Sequence, residues 1–408
     1  MSEENFLGTQ LVRFAGMFSA TIFAWAIWLS RGSAFGDFRV LHLGARLINE
    51  GRIGDAYDPD AFQQEAIAEP TLEAAELLTF LSTPPFALAM RPFAFLSSNA
   101  ALGVWLVLGV LAFFAAVRLL NLPWWTGLAA IVLPTGLANI QLGQTGFFAL
   151  LMAAAIHRLC VEDKVVAAGV VAGFAVLKPT LLLGVAIWWL LDWRKWHKAL
   201  LSAAGVGTLL VLPTVVGGFE QWRLFLGALE ARSAFEFEIV SHQPTIAEIV
   251  NRSFGTDIGG HPIASALYLV VGAVAMRAAI RRWPERTDVL SGAAILVSVL
   301  VSPHLLIYDA TLIIIPFAVL VHAGSRGVER DRLVAIFLVT ALMSILPMEP
   351  FSTINDYVIP TAIGLIVASV YWAWLIDKGD SAPALLDVPS MGTQLDEGLA
   401  DEGLADAA

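Results

Sequence analysis

The chain predicts an all-α, polytopic membrane protein, a bundle of about twelve transmembrane helices with two sizeable extracytoplasmic loops. Three observations predict it. Of 408 residues, 58% are hydrophobic and 14% charged, where a soluble domain carries about 25% charge. The mean hydropathy is +0.74, and apolar runs recur along the whole length. Before the tail, only two long polar stretches interrupt them, at 31–83 and 217–261.

Taken in order, the candidate spans fall at about 11–30, 84–97, 99–119, 124–138, 145–160, 165–191, 197–216, 262–281, 287–302, 304–322, 331–346 and 357–376. Those at 84–97, 124–138 and 145–160 are short for a core ~30 Å thick, and 165–191 is long and interrupted at Lys178-Pro179. The first span is long enough to stay as an anchor, and no signal-peptide core or cleavage site precedes it. Basic residues in short loops set orientation. The groups Arg194/Lys195/Lys198, Arg277/Arg281/Arg282/Arg286 and Arg326/Arg330/Arg332 fall on one side, expected to be cytoplasmic together with both termini. Residues 31–83 and 217–261 then lie outside a plasma membrane, but Arg118, Arg158 and Lys164 land on the wrong side of this scheme. Residues 1–380 read as one membrane domain. The acidic stretch 381–408, with Asp-Glu-Gly-Leu-Ala twice, reads as a disordered cytoplasmic tail.

Several function classes drop out on composition. A net charge of −11 with no basic patch offers nothing to nucleic acid. The single cysteine, Cys160, excludes an intrachain disulfide and a cysteine metal cluster. The seven histidines lack ligand spacing, so the sequence shows no metal motif and implies no cofactor, while a need for metal is not set by it. There is no glycine-rich phosphate loop and no Ser/His/Asp triad, which argues against a nucleotide-sugar donor and an ATP-driven pump.

The residues able to do chemistry cluster in the polar stretches and at breaks in the apolar ones. Asp37 stands between glycine-bearing turns at the mouth of the first span, ahead of an amphipathic helix with Arg39, His42, Arg46 and Asn49 on one face. Gly51 stops that helix. The pattern reads as a catalytic base or as the helix N-cap, and the helix terminus would keep the carboxylate ionised in either role. Tyr57-Asp58-Pro59 places Asp58 at a cap with proline at the first helical position, a structural role. Asn139 to Gln144 puts polar amides near membrane depth, where they must line protein or a cavity. Lys178 lies well inside an apolar run and marks a site, unless carbonyls freed by Pro179 hold it. The second outer stretch carries Ser241-His242-Gln243-Pro244, enough polar surface to cover a substrate. Ser302-Pro303 opens a span, with His304 and Tyr308 sharing a face and Asp309 placed for a hydrogen-bonding role.

The ordered set resembles a known family. Asp37-Phe38 after the first span, Gly51, Tyr57-Asp58-Pro59, Pro84-Pro85 with Pro92-Phe93, Gly143-Gln144, Gly169 to Gly173 leading to Leu177-Lys178-Pro179, and Ser302-Pro303-His304 with Tyr308-Asp309 carry it. This is similar to glycosyltransferase family 87 over roughly residues 10–376. The resemblance implies a GT-C fold and inverting transfer of a hexose, mannose in the family, from a polyprenyl-phosphate sugar to a lipid-linked or envelope glycan acceptor on the outer face. It matches Asp37 to the base and His304 to a histidine near the donor phosphate, with Lys178 and Arg39 as further phosphate candidates. Gln144, Gln243 and Tyr308 complete the expected substrate-binding set. Thr83 stands where the family often has an aromatic, and His242-Gln243-Pro244 where it often has Asn-Gln-Ser. The rival class is a transporter or flippase, supported by interrupted runs at Lys178-Pro179 and Ser302-Pro303, one in each half.

Overall fold

The computed structural model describes residues 36–69, 80–122, 124–131, 134–216, 219–233, 262–302 and 307–323, with Ser369, Ala373, Trp374 and Ile376. The expectations for the first span, the spans after residue 323, the loop around Gln243, His304 and the tail lie outside these residues. Every element among the described residues is helical.

The first polar stretch folds into a small helical layer. Helix α1 (Gly36–Asn49) buries Phe38, Val40, Leu43, Ala45 and Leu47, and the chain leaves it through Gly51 at φ +79°. That left-handed conformation costs glycine nothing and penalises other residues. Helix α2 (Ile53–Tyr57) follows, and the Asp58 side chain accepts from Ala61 N at 2.9 Å to cap α3 (Pro59–Ala68). Tyr57 donates to the Ser82 carbonyl at 3.0 Å and packs its ring on Phe80 and Phe225. Burial pushes its phenol well above the ordinary range, so it stays neutral.

The polar face of α1 does not lie open at a membrane surface. His42 is buried and pairs with the Leu96 carbonyl at 3.1 Å, while Asn49 meets Arg91. Arg91 opens the 3-10 turn Arg91–Phe95, which follows α4 (Pro84–Met90), and Leu96 closes that turn. The stretch 84–97 is therefore not one helix running the length of the bundle. It is too short to traverse the bundle, and α1 holds it along its length at the end where α5 begins.

The passes follow. Helix α5 (Ser98–Leu119) runs from this loop end to the opposite, basic end; α6 (Trp124–Ile131) and α7 (Pro134–Leu142) return as one broken pass; α8 (Gly146–Val161) descends again, parallel to α5. The contacts fix these directions: Trp105 meets Gly143 and Phe148, and Gly127 faces Phe114 and Val117.

The long run 165–191 is two legs, not one interrupted span. Helix α9 (Val165–Gly173) and the 3-10 turn Phe174–Leu177 climb from the basic end; the turn Pro179–Leu182 and α10 (Leu183–Leu191) descend to it. Lys164 and Lys198 line one cavity, so the hairpin returns to the side it left, with Lys178 at its tip. Glycines let this hairpin pack closely. A Cβ at Gly169 would lie 2.2 Å from the Ala199 carbonyl oxygen, and one at Gly184 2.0 Å from that of Ala294. Helix α11 (Trp193–Val215) climbs beside α9, and α12 (Glu220–Ser233) joins the small layer at the loop end. Helices α13 (Pro262–Arg282), α14 (Thr287–Val301) and α15 (Ile314–Ala323) complete the bundle, the last entered through the 3-10 helix Ile307–Ile313.

These two departures move three cations. With 84–97 and 165–191 folded this way, the described parts of the two long polar stretches, within 36–69 and 219–233, share one end. Between them, Arg118, Arg158 and Lys164 come to the end that holds Arg194, Lys195 and Arg286. His322 bonding the Leu120 carbonyl at 2.8 Å, and Lys195 bonding Thr287 at 3.0 Å, tie that end together. Helices α5 and α11 are each long and apolar enough to cross a bilayer, and only 11% of the apolar window of α11 is buried. A helix so open along its length is not the core helix of a soluble domain.

Candidate functional site

At the loop end, two interruptions and the start of α1 converge. The chain leaves α7 through Gly143, whose φ of +66° turns it sharply into α8. Trp105 donates to the Gly143 carbonyl at 2.9 Å, and a Cβ on Gly143 would lie 2.5 Å from that of Phe38. Only glycine allows this turn to press against the first turn of α1. The contact brings the next residue, Gln144, to Asp37, and Gln144 Nε2 donates to Asp37 Oδ2. Asp37 itself is half-buried in the first turn of α1.

Lys178 arrives from the hairpin tip between two 3-10 turns, at φ −149° and ψ 79°. Its ammonium pairs with Asp309 and sits 3.5 Å from Thr145 Oγ1. The pair is asymmetric: Asp309 is 1% exposed, while the Lys178 side chain is 30% exposed. A carboxylate this deep needs its partner, and the lysine half of the pair faces outward from it. Thr83, just before Pro84-Pro85, donates to the carbonyls of Val176 and Leu177 at 3.3 and 3.2 Å. Carbonyls loosened by the break are thus taken by a hydroxyl of the first polar stretch, leaving the Lys178 ammonium for Asp309. Below, Asn139 donates to Thr311 Oγ1 at 3.1 Å and ties α7 to the 3-10 helix that carries Asp309.

The residues singled out in the sequence divide accordingly. Asp37, Gln144, Lys178 and Asp309 are joined through the neighbours Gln144-Thr145. Arg39 stands one turn into α1, and its Nε is buried with no hydrogen-bond partner among the described residues. Asp58 caps α3 in the outer layer. The Tyr308 backbone lies in the 3-10 helix beside Asp309, while its side chain, like Gln243 and His304, is outside the described residues. Thr83, Thr145 and the Asn139–Thr311 tie had no individual signal in the sequence. Thr83 drew notice only as a departure from a family pattern. No group of metal-ligating side chains occurs among the described residues.

Chemically, the cluster offers a half-buried carboxylate and a half-buried lysine paired with Asp309 on one framework. The first can take a proton; the second can meet a phosphate. Residues 80–303, more than half of the chain, match the family model of Glycosyltransferase family 87. Gln144 and Lys178 fall inside that interval, whereas Asp37, His304, Tyr308 and Asp309 fall outside it. The chain matches no curated protein and no solved structure.

Proposed function

Because the chain belongs to glycosyltransferase family 87, we propose that it moves a hexose, mannose in the first instance, from a polyprenyl-phosphate sugar to a lipid-linked or envelope glycan acceptor at the loop end of the bundle. That it is a glycosyltransferase of the membrane follows from the family and the long apolar helices. The donor, the acceptor and the roles of residues are the proposal. The observation that carries it is the convergence of Asp37 and Lys178, from elements far apart in sequence, through Gln144 and Thr145.

In this reading the Asp37 carboxylate takes the proton of an acceptor hydroxyl as its oxygen attacks C1 of the sugar. The C1–O bond to phosphate breaks, and the polyprenyl phosphate leaves with the bond electrons. Direct displacement inverts the anomeric centre. Gln144 orients the carboxylate through its Nε2. Lys178, aimed by Asp309, meets the charge growing on the leaving phosphate. His304, two residues after Ser302, is the further phosphate candidate, and Arg39, Gln243 and Tyr308 complete the substrate-binding set.

The distribution of cations supports an orientation. Arg118, Arg158, Lys164, Arg194, Lys195 and Arg286 all stand at the end opposite the cluster, which by the positive-inside rule is cytoplasmic. The cluster then opens on the extracytoplasmic face of the plasma membrane. Two broken passes meeting at one ion pair would also suit a transporter. Family membership favours transfer.

The test is a transfer assay on membranes supplied with labelled polyprenyl-phosphate hexoses, reading the product anomer. Inverted product from a polyprenyl-phosphate mannose is expected. Absence of transfer with every such donor, together with uptake into liposomes, would overturn the reading in favour of transport.

A further inference from the structure

The basic end carries a second feature that sugar transfer does not use. The turn between α8 and α9 and the first two turns of α11 enclose an open cavity of about 700 Å³. It is lined by Lys164, Arg194, Lys195, His197 and Lys198, with Asp163 and the first residues of α9. The nearby acids do not cancel this charge. Glu162 is shared between Arg158 and Lys164, the latter at 2.7 Å, and Asp163 is the carboxylate in the lining. Lys195 is held by Thr287 at 3.0 Å and lies over the Trp196 ring at 5.3 Å. Arg194 and Lys198 have no side-chain partner among the described residues, so two cations at the rim are left for a ligand.

Directly along the same two helices the surface turns apolar. Val166 and Val170 on α9, and Leu201 and Leu209 on α11, are 53%, 41%, 64% and 68% exposed, and Trp193 is 51% exposed beside the cations. Cations and an interfacial indole above an open apolar lane match a phospholipid, headgroup over chains. A free phosphate would use the cations and leave the lane without a role. We propose that this cavity seats the phosphate headgroup of an acidic membrane phospholipid, with its acyl chains laid along the α9–α11 lane. The site is separate from the sugar-transfer cluster, and it needs neither donor nor acceptor.

The experiment takes the full chain from vesicles of equal phosphatidylglycerol and phosphatidylcholine and measures the lipid retained by native mass spectrometry. Wild type should retain phosphatidylglycerol with roughly tenfold preference, and R194Q/K198Q should bring the two lipids to near parity. Arg277→Gln, an exposed cation elsewhere at this end, should leave the preference intact. If the double variant does not fold, Lys198→Gln alone is read instead and should lower the preference roughly threefold. Equal retention by wild type, or undiminished preference in the variants, overturns the proposal. Displacement of the lipid by soluble glycerol phosphate would also overturn it, by making the cavity a free-phosphate site.

Discussion

At the loop end, Lys178 reaches Asp309 across 131 residues of sequence, and Gln144 reaches Asp37 across 107. At the basic end, Arg158 and Lys164 share the neighbouring Glu162, and Arg286 pairs with Asp288 two residues on. The first kind of pair holds distant elements in one place and buries charge to do so. The second is local and only half-buried, and it ties no distant elements together. The helices follow the same division: at the loop end they break into 3-10 turns around Lys178 and Asp309, while at the basic end α11 begins whole and carries its cations outward. A bundle that, among the described residues, accepts broken helices and a buried ion-paired carboxylate at this end has spent stability there, which is the pattern expected where function rather than packing sets the residues.

Substitutions should feel this difference. The largest effect on turnover falls on Asp37→Asn, which keeps the Gln144 contact region filled but cannot take a proton. Transfer should drop by at least ~10²-fold with normal yield. Lys178→Ala leaves Asp309 buried without its cation and should cost roughly 3 kcal/mol, read as a lower unfolding temperature in detergent. Lys178→Arg should recover most of that stability. Gly143→Ala forces a side chain into a left-handed φ and against Phe38, so about 2 kcal/mol should be lost along with the placement of Asp37. Asp58→Ala removes only the cap of α3 and should cost about 1 kcal/mol, with transfer per folded molecule unchanged. Asp58→Asn should be nearly silent.

The smallest effect belongs to the basic end. Glu162→Gln breaks a local ion pair whose lysine is exposed and should cost less than ~1 kcal/mol. Lys164, then Arg158, hold the Glu162 carboxyl below its usual range. That small stabilisation is present at neutral pH and is lost as pH falls through the folded-state value, where Glu162→Gln and wild type should unfold alike. If Glu162→Gln cost as much as Lys178→Ala, the contrast between the ends would fail.

The same contrast explains what could be read from the sequence. Amphipathic α1, its stop at Gly51 and the Asp58 cap are local patterns, and each stands where the spacing puts it. The hairpin at 165–191 was not legible, because a long apolar run suits one span as well as two short legs. Its signal was Lys178-Pro179 at the midpoint together with Lys164 and Arg194 just outside both ends, which place both ends on one side. The stretch 84–97 misled for a related reason. Its apolar side chains pack on α1 and α5, through Met90 and Phe93 against Phe38 and Trp105, so hydrophobicity there marks a core rather than a crossing. Nor could spacing pair Gln144 with Asp37 or Lys178 with Asp309, since the contact depends on Gly143 turning the chain and on the hairpin reaching the loop end.

The most direct test asks which end of the bundle receives the sugar donor. A polyprenyl-phosphate hexose carrying a photoreactive group beside its phosphate can be cross-linked in membranes and the adducts mapped by peptide. Adducts should fall within 36–40, 80–86, 143–148 or 176–182, and Lys178→Ala should weaken them. Adducts concentrated at 163–167 and 193–201, undiminished in Lys178→Ala, would contradict the account and move the reaction to the basic end.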